Sequence, residues 1–409
     1  MSRPDAHVLI LGAGHAGGTA AALLRQYGHA GPITLVGEEP VAPYQRPPLS
    51  KAWLTDGPEA VSLDLKPPGF YAGHDIDFRC GVRAEALARE SRAATLSTGE
   101  VLTYDVLIIA TGARAIKLPV AGADLRGLVE LRTVADARRL RAAIGPGLRL
   151  AVIGGGYIGL EVAASARALG AEVVVIEREP RLLARVAGPE LSTFFLDYHG
   201  KRGVGFELGA TVAGFEGRDG RVAGVRLDDG RTIACDAALI GVGATPNEEI
   251  ARDAGLDTAR GVTVDLEART ADPAVFAIGD VARRPMPIYD RMFRMESVPN
   301  AIEQARQAAS AIVGRAPPPG EAPWQWSDQY DLKLQIAGYA FDVDRVLLRG
   351  DPATARFAIF HLKGDRIQSV EAINSPQEFV IGRQLIASRR AVDVEKLADP
   401  TTTMKELAA

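Results

Sequence analysis

Glycines at two places in this chain have the spacing that a nucleotide pyrophosphate requires. Residues 8–18 read V-L-I-L-G-A-G-H-A-G-G, and residues 150–159 read L-A-V-I-G-G-G-Y-I-G. The first glycine of each set, Gly12 and Gly154, lets the backbone turn sharply out of a strand. The second, Gly14 and Gly156, has no Cβ, so a pyrophosphate can approach the main chain. The third, Gly17 and Gly159, lets the next helix pack closely on the sheet. The N-terminus of that helix offers N–H groups and a positive dipole end to the phosphates.

The same chemistry calls for a carboxylate about 20 residues on, at the end of the following strand, to bind a ribose hydroxyl. Residues 33–37 lead into Glu38, with Glu39 beside it, and residues 173–176 lead into Glu177. An acid at Glu177 binds the NAD ribose and repels the 2′-phosphate of NADP. Its neighbour Arg178 is the residue type that accommodates that phosphate, so NAD is favoured without being required. Two complete motifs in one chain imply two nucleotides side by side and electron transfer between them.

The elements behind these loops follow from the apolar pattern. Residues 7–11, 16–27 and 33–36 read as strand, helix and strand, a βαβ crossover. The proline-rich segment 43–51 is expected to be rigid and irregular. A strand at 106–110 ends in Thr111-Gly112, and residues 113–148 lead to the second βαβ unit. That unit runs to about Pro246 and contains a hairpin, 222–227 and 231–235, turning at Asp229-Gly230. Residues 270–280 form another buried strand closing on Gly279-Asp280, residues 300–313 a helix, and residues 316–320 a linker. Beyond it, residues 323–409 read as an α+β module with strands at 357–362 and 368–373. The fold class is α/β: two Rossmann-like dinucleotide-binding domains plus a C-terminal α+β domain. The expected boundaries are 1–113 with 247–320, then 114–246, then 321–409.

Composition sets the bounds. A chain of 409 residues with net charge −4 and 47% hydrophobic residues is an ordinary globular protein of two or three domains. It has no basic run, so no nucleic-acid partner is expected. Its apolar stretches are strand-sized, far short of the ~20 residues that span a bilayer, so no membrane partner is expected. The first strand starts within seven residues of the first residue, so no signal peptide is expected. Cys80 and Cys235 are the only cysteines; they exclude a disulfide framework or cysteine metal site, no metal is expected, and the chain is expected to be cytoplasmic. Both cysteines are read as buried strand residues.

Several blocks carry a resemblance: Tyr44-Gln45-Arg46-Pro47-Pro48-Leu49-Ser50-Lys51, Ala110-Thr111-Gly112, Gly154-Gly155-Gly156-Tyr157-Ile158-Gly159-Leu160-Glu161, Ala277-Ile278-Gly279-Asp280, Glu296-Ser297-Val298-Pro299-Asn300-Ala301 and Pro323-Trp324-Gln325-Trp326-Ser327-Asp328-Gln329. Together they resemble the glutathione-reductase-like flavoproteins. Within that group they are similar to the NADH-dependent ferredoxin reductases of bacterial oxygenase systems, the putidaredoxin-reductase-like family.

The resemblance implies FAD on the first unit and NADH on the second. Gly12, Gly14, Gly17 and Glu38 would hold the FAD pyrophosphate and adenosine, and Asp280 the ribityl chain. His15, Ala16, Arg46, Val82, Ala110, Thr111, Gly112, Gly279 and Val298 would line the same cofactor. Gly154, Gly156, Tyr157, Ile158, Gly159, Glu177 and Gly243 would serve NADH. Lys51 and Glu161 are similar to the family pair beside the flavin N5 and the nicotinamide, and Trp326 to the aromatic residue near the ring. Each has a plainer alternative: a solvated lysine, a surface glutamate in the first helical turn, a core tryptophan. The helix start at Pro299-Asn300 would face the charge that develops on the reduced flavin.

The implied acceptor is a [2Fe–2S] ferredoxin serving a cytochrome P450 or a Rieske-type oxygenase, reached one electron at a time. Competing readings are an NADH oxidase or diaphorase, a rubredoxin reductase, or a flavin-containing signalling protein like the apoptosis-inducing-factor branch. Disulfide reduction needs closely spaced cysteines, and His361 is followed by Leu362, not proline. His15 occupies the place of a peroxidase histidine, but no cysteine stands at residues 40–50, so it reads as a loop residue near the flavin. An acidic ferredoxin would dock on basic residues, for which Lys66, Arg306, Arg315 and Lys333 are candidates. Monomer and homodimer both remain open.

Overall fold

The computed structural model describes residues 5–317 and 319–408. Pro318, inside the expected linker, lies outside them. The fold divides into two units. One comprises the chain up to Gln45, Leu63–Arg114 and Thr245–Pro323, and the other Arg46–Ser62, Ala115–Ala244 and the chain from Trp324 onward.

The first unit is built on a five-stranded parallel sheet in the order Val275–Ala277, Val106–Ile109, Val8–Leu11, Ile33–Gly37, Ile76–Cys80. Its central strands are unbroken apolar runs, as a sheet covered on both faces demands. On one face pack the helices His15–Gln26 and Val298–Val313, whose buried alanines (Ala20, Ala21, Ala305, Ala308) allow close approach. The other face is covered in part by Ala94 and Leu96 of the antiparallel sheet Ala84–Ala88, Ala93–Leu96, Val101–Thr103. Each fully buried Val, Leu or Ile in these layers contributes about 1.5–3 kcal/mol.

The second unit repeats the plan. Its parallel sheet runs Val204–Leu208, Glu172–Glu177, Arg149–Ile153, Ala237–Ile240, Leu128–Val129. In both units the chain leaves the strand that leads into the glycines toward a neighbour on one side and returns later to pair on its other side. That switch point is where open α/β sheets bind ligands. The second unit also holds an antiparallel sheet in the order Trp324–Gln329, Leu332–Gly338, Arg366–Ile373, Arg356–Lys363, Arg345–Asp351. The helix Pro376–Ser388 packs on it through Phe379, Leu385 and Ile386. Among the described residues, no helix is long and apolar enough to cross a membrane.

Three expectations need correction. Cys80 is exposed, because Ile76–Cys80 is an edge strand whose outer residues alternate toward solvent. Cys235 is buried, but just past the strand Thr232–Ala234. The proline-rich segment contains a 3-10 turn, Pro47–Ser50, followed by the short helix Ala52–Asp56. Two prolines at the start of a turn supply fixed φ angles and lack only N–H groups that have no partner there. The late helix starts at Val298 because the Ser297 hydroxyl accepts the Asn300 N–H and caps it.

Candidate functional site

In the first unit, strand Val8–Leu11 ends at Gly12, where a Cβ would stand 2.2 Å from Ala110 O. At Gly17, in the first turn of the helix, a Cβ would stand 1.9 Å from Gly12 O. Both positions are therefore glycine by necessity. Gly14 differs: a Cβ there would meet nothing within 4 Å. The helix cap supplies no side-chain acceptor and its first turn no acid, so an open notch faces a helix N-terminus. That notch suits a pyrophosphate.

Around it, within the same unit, Ala110-Thr111-Gly112 is held by Asn247, which accepts from Thr111 Oγ1 at 2.8 Å and donates to Thr111 O at 2.9 Å. Gly279 lies against Ala16 and donates its N–H to Gln304 Oε1 at 2.6 Å. Asp280 follows it, half-buried, as are His15 and Val298. The Val82 N–H donates to Gly37 O at 2.9 Å, and Glu38 stands exposed at the strand end.

The second unit reproduces the loop. A Cβ at Gly154 would stand 2.4 Å from Gly241 O, one at Gly159 would stand 2.0 Å from Gly154 O, and Gly156 is open. Here the acid is engaged. Glu177 Oε2 accepts the Gly155 N–H at 2.6 Å and Oε1 accepts the Glu179 N–H at 2.8 Å. Arg178 is 75% exposed and paired with Glu179 at 3.1 Å. Ile158 is exposed, and Gly243 is half-buried. The Tyr157 hydroxyl is buried, which pushes its pKa well above the usual phenol value. Arg46 belongs to this unit and donates to Arg132 O.

The helix Tyr157–Ala168 brings Glu161 inward, where it is only 4% exposed. Lys51 Nζ stands 2.7 Å from Glu161 Oε2, and the Lys51 side chain is 16% exposed. Neither is a solvated surface residue. Ser50 Oγ also donates to Glu161 Oε2, and Ser327 Oγ donates to Oε1 at 2.6 Å. Three donors thus compensate a charge whose burial would otherwise be costly. Lys51 donates a second time, to Pro47 O at 3.1 Å, and Ser165 Oγ donates to Ser50 O at 2.8 Å, tying the turn to the helix. Trp326 is half-buried and lies against Trp324, ring centroids 5.7 Å apart.

Sequence reasoning found Lys51 and Glu161 but missed Ser50, Ser327 and the residues behind them, Gln329 and His199. The available signal was Ser50 beside Lys51, and two polar residues at alternate positions of a strand already singled out for Trp326. His361 belongs elsewhere, in a buried contact with Glu371 at 3.0 Å whose carboxylate also accepts the Gly188 N–H at 2.7 Å. The two cysteines are unpaired, and burial pushes the Cys235 thiol up to about 11.

With this geometry in place, comparison with known proteins is informative. Residues 6–305 match the family described as pyridine nucleotide-disulphide oxidoreductase, and residues 324–408 match the one described as reductase C-terminal. A probable ferredoxin reductase, CtmF, of Castellaniella defragrans is 50% identical over 402 residues, covering 98% of each chain. Putidaredoxin reductase CamA of Pseudomonas putida is 40% identical over 408 residues, covering 98% of this chain and 97% of that one. The crystal structure of a covalent putidaredoxin reductase–putidaredoxin complex superposes with a TM-score of 0.96 at 40% identity, covering 98% of both chains. The expected fold class, cofactor pair and resemblance are all supported, and the chain belongs to the pyridine nucleotide-disulphide oxidoreductase family.

Proposed function

We propose that this protein is an NADH-dependent ferredoxin reductase: it oxidises NADH and delivers electrons one at a time to a [2Fe–2S] ferredoxin, which serves a cytochrome P450 or Rieske-type oxygenase. FAD, when bound, supplies the conversion from a two-electron donor to one-electron deliveries. Gly12, Gly14, Gly17, Glu38, the Ala110-Thr111-Gly112 turn and Gly279-Asp280 are the residues we assign to hold it, with His15, Ala16, Arg46, Val82 and Val298 lining it. Gly154, Gly156, Gly159 and Glu177 are assigned to NADH, with Tyr157, Ile158 and Gly243 beside them. We read the FAD domain as 1–113 with 247–320, the NAD domain as 114–246 and the third as 321–409. Function in a reducing cytoplasm accords with two unpaired cysteines.

The observation that carries the reading is the Lys51–Glu161 pair, set on the helix that rises from the second glycine loop. Lys51 has three N–H groups. One goes to Pro47 O and one to Glu161, which leaves the third for a bound acceptor. Glu161 orients the ammonium and balances its charge, so the donor is preorganised in a largely dry setting, where electrostatic stabilisation is strongest. Trp326, we propose, covers the ring. Docking falls to Lys66, Arg306, Arg315 and Lys333, and neutralising them should lower ferredoxin turnover while leaving NADH–ferricyanide turnover intact.

The test is anaerobic mixing of the yellow protein with NADH, followed by oxygen or by a [2Fe–2S] ferredoxin plus cytochrome c. Rapid bleaching, slow reoxidation by oxygen and ferredoxin-dependent cytochrome c reduction are expected. Fast reoxidation by oxygen, with no response to several ferredoxins, would move the protein to the oxidases.

A further inference from the structure

Strand alternation places Ser327 and Gln329 on one face of Trp324–Gln329 and Trp326 and Asp328 on the other. Asp328 is exposed, whereas Ser327 and Gln329 are fully buried. Buried polar side chains need partners, and here the partners form a single file. Ser327 Oγ donates to Glu161 Oε1 at 2.6 Å, and Gln329 Nε2 donates to Ser327 Oγ at 3.0 Å. His199 Nε2 stands 2.7 Å from Gln329 Oε1, and Tyr330 OH lies 3.5 Å from His199 Nδ1.

The polarity of the file is set at its inner end. A carboxylate only accepts, so Ser327 must spend its one proton on Glu161. The serine oxygen then needs a donor, which the amide nitrogen of Gln329 supplies. This turns the amide oxygen toward His199, whose Nε2 must carry hydrogen. The imidazole, buried on the helix Pro189–Gly200 with its pKa held down to about 4, is neutral, so Nδ1 is left as an acceptor facing Tyr330. Each member donates toward Glu161. An amide in the middle makes this an orienting file, not a proton wire, because a proton could cross it only through an imidic acid.

We infer that Ser327, Gln329 and His199 are positioning residues for the Lys51–Glu161 pair, holding Glu161 Oε1 so that Oε2 stays turned to Lys51 and Ser50. This rests on the proposed function, in which that pair acts during NADH oxidation. Without the Ser327 donor a buried carboxylate oxygen is left bare, and the group must rotate or admit water to satisfy it.

Stopped-flow bleaching of the FAD-loaded enzyme by NADH tests this with Ser327→Ala, Ser327→Thr and Glu161→Gln in parallel. Ser327→Ala should bleach about tenfold more slowly, with the NADH dissociation constant changed less than about twofold, and Ser327→Thr should restore the rate. In the wild-type enzyme, nitrogen-15 NMR of the histidine side chains should show His199, assigned by its loss in His199→Gln, as the neutral Nε2–H tautomer at pH 7. That readout needs neither turnover nor a folded variant of Ser327. Slow Glu161→Gln beside fast Ser327→Ala overturns the positioning role alone, as does the Nδ1–H tautomer. Wild-type bleaching by Glu161→Gln itself overturns the reading of the pair, and the inference with it.

Discussion

The two glycine loops share a backbone and differ in what they carry. In both, the first and third glycines sit where a Cβ would strike a carbonyl oxygen, and the second lies open. The acids diverge. Glu177 is held by the Gly155 and Glu179 N–H groups, while Glu38 stands exposed at a strand end. The helices diverge further. The position seven residues after the first glycine is Thr19 in one loop and the buried, triply hydrogen-bonded Glu161 in the other. On the proposed function, one backbone solution does two jobs: the first loop would grip a nucleotide, and the second would grip one and add a charged group beside it.

The largest effects come from filling the third glycine. Gly17→Val and Gly159→Val each add a Cβ that would stand 1.9 Å and 2.0 Å from a carbonyl oxygen, so each helix must shift. Gly17→Val should purify without flavin. Gly159→Val should stay yellow and lose NADH bleaching by about a hundredfold or more at fixed NADH. Absorbance and NADH titration read both; flavin lost from Gly159→Val and kept by Gly17→Val would exchange the two nucleotides between the loops.

Next comes the charged group found only in the second unit. Lys51→Met should slow bleaching about a hundredfold with little change in the NADH concentration at half-maximal rate, as loss of a preorganised donor does. A change in half-saturation alone would make Lys51 a binding residue. Smaller again is the acid. Glu177→Ala should raise the half-saturating NADH concentration about tenfold and leave flavin content unchanged, whereas Glu38→Ala should weaken flavin retention and leave NADH titration unchanged. Because Arg178 faces solvent and pairs with Glu179, its replacement by Ala should leave the preference for NADH intact.

The parallel sheets and both glycine loops were legible because their causes are local: apolar runs of strand length, glycines where a Cβ cannot fit, an acid at a fixed distance. The 3-10 turn at Pro47–Ser50 and the exposure of Cys80 were not, since one depends on how the prolines dock and the other on which strand ends up at the sheet edge. Lys51 and Glu161 were reached through a family likeness. Nothing in their own neighbourhoods brings residues 51, 161 and 327 together, because that meeting is set by packing between segments far apart in the chain. The alternation of Ser327 and Gln329 was visible, but alternation marks a buried polar face without naming what it faces.

Least visible at neutral pH is a contrast between two buried histidines, one in each unit. Burial lowers the pKa of both. At both sites a hydrogen bond works against burial, to Gln329 for His199 and to Ala6 O at 2.9 Å for His29, and burial wins; for His199 the value falls to about 4, and His29 is lowered less. The sign follows from linkage. The unfolded chain binds a proton near pH 6.5 and the folded site resists it, so the stabilisation is complete above pH 6.5 and declines as pH falls toward 4. For His199 the loss should reach about 3 kcal/mol. Urea midpoints measured from pH 7 to pH 4 should therefore flatten more in His199→Gln than in His29→Gln. Equal flattening would mean that the two sites resist protonation alike, and no flattening in His199→Gln would mean that burial does not hold its imidazole neutral.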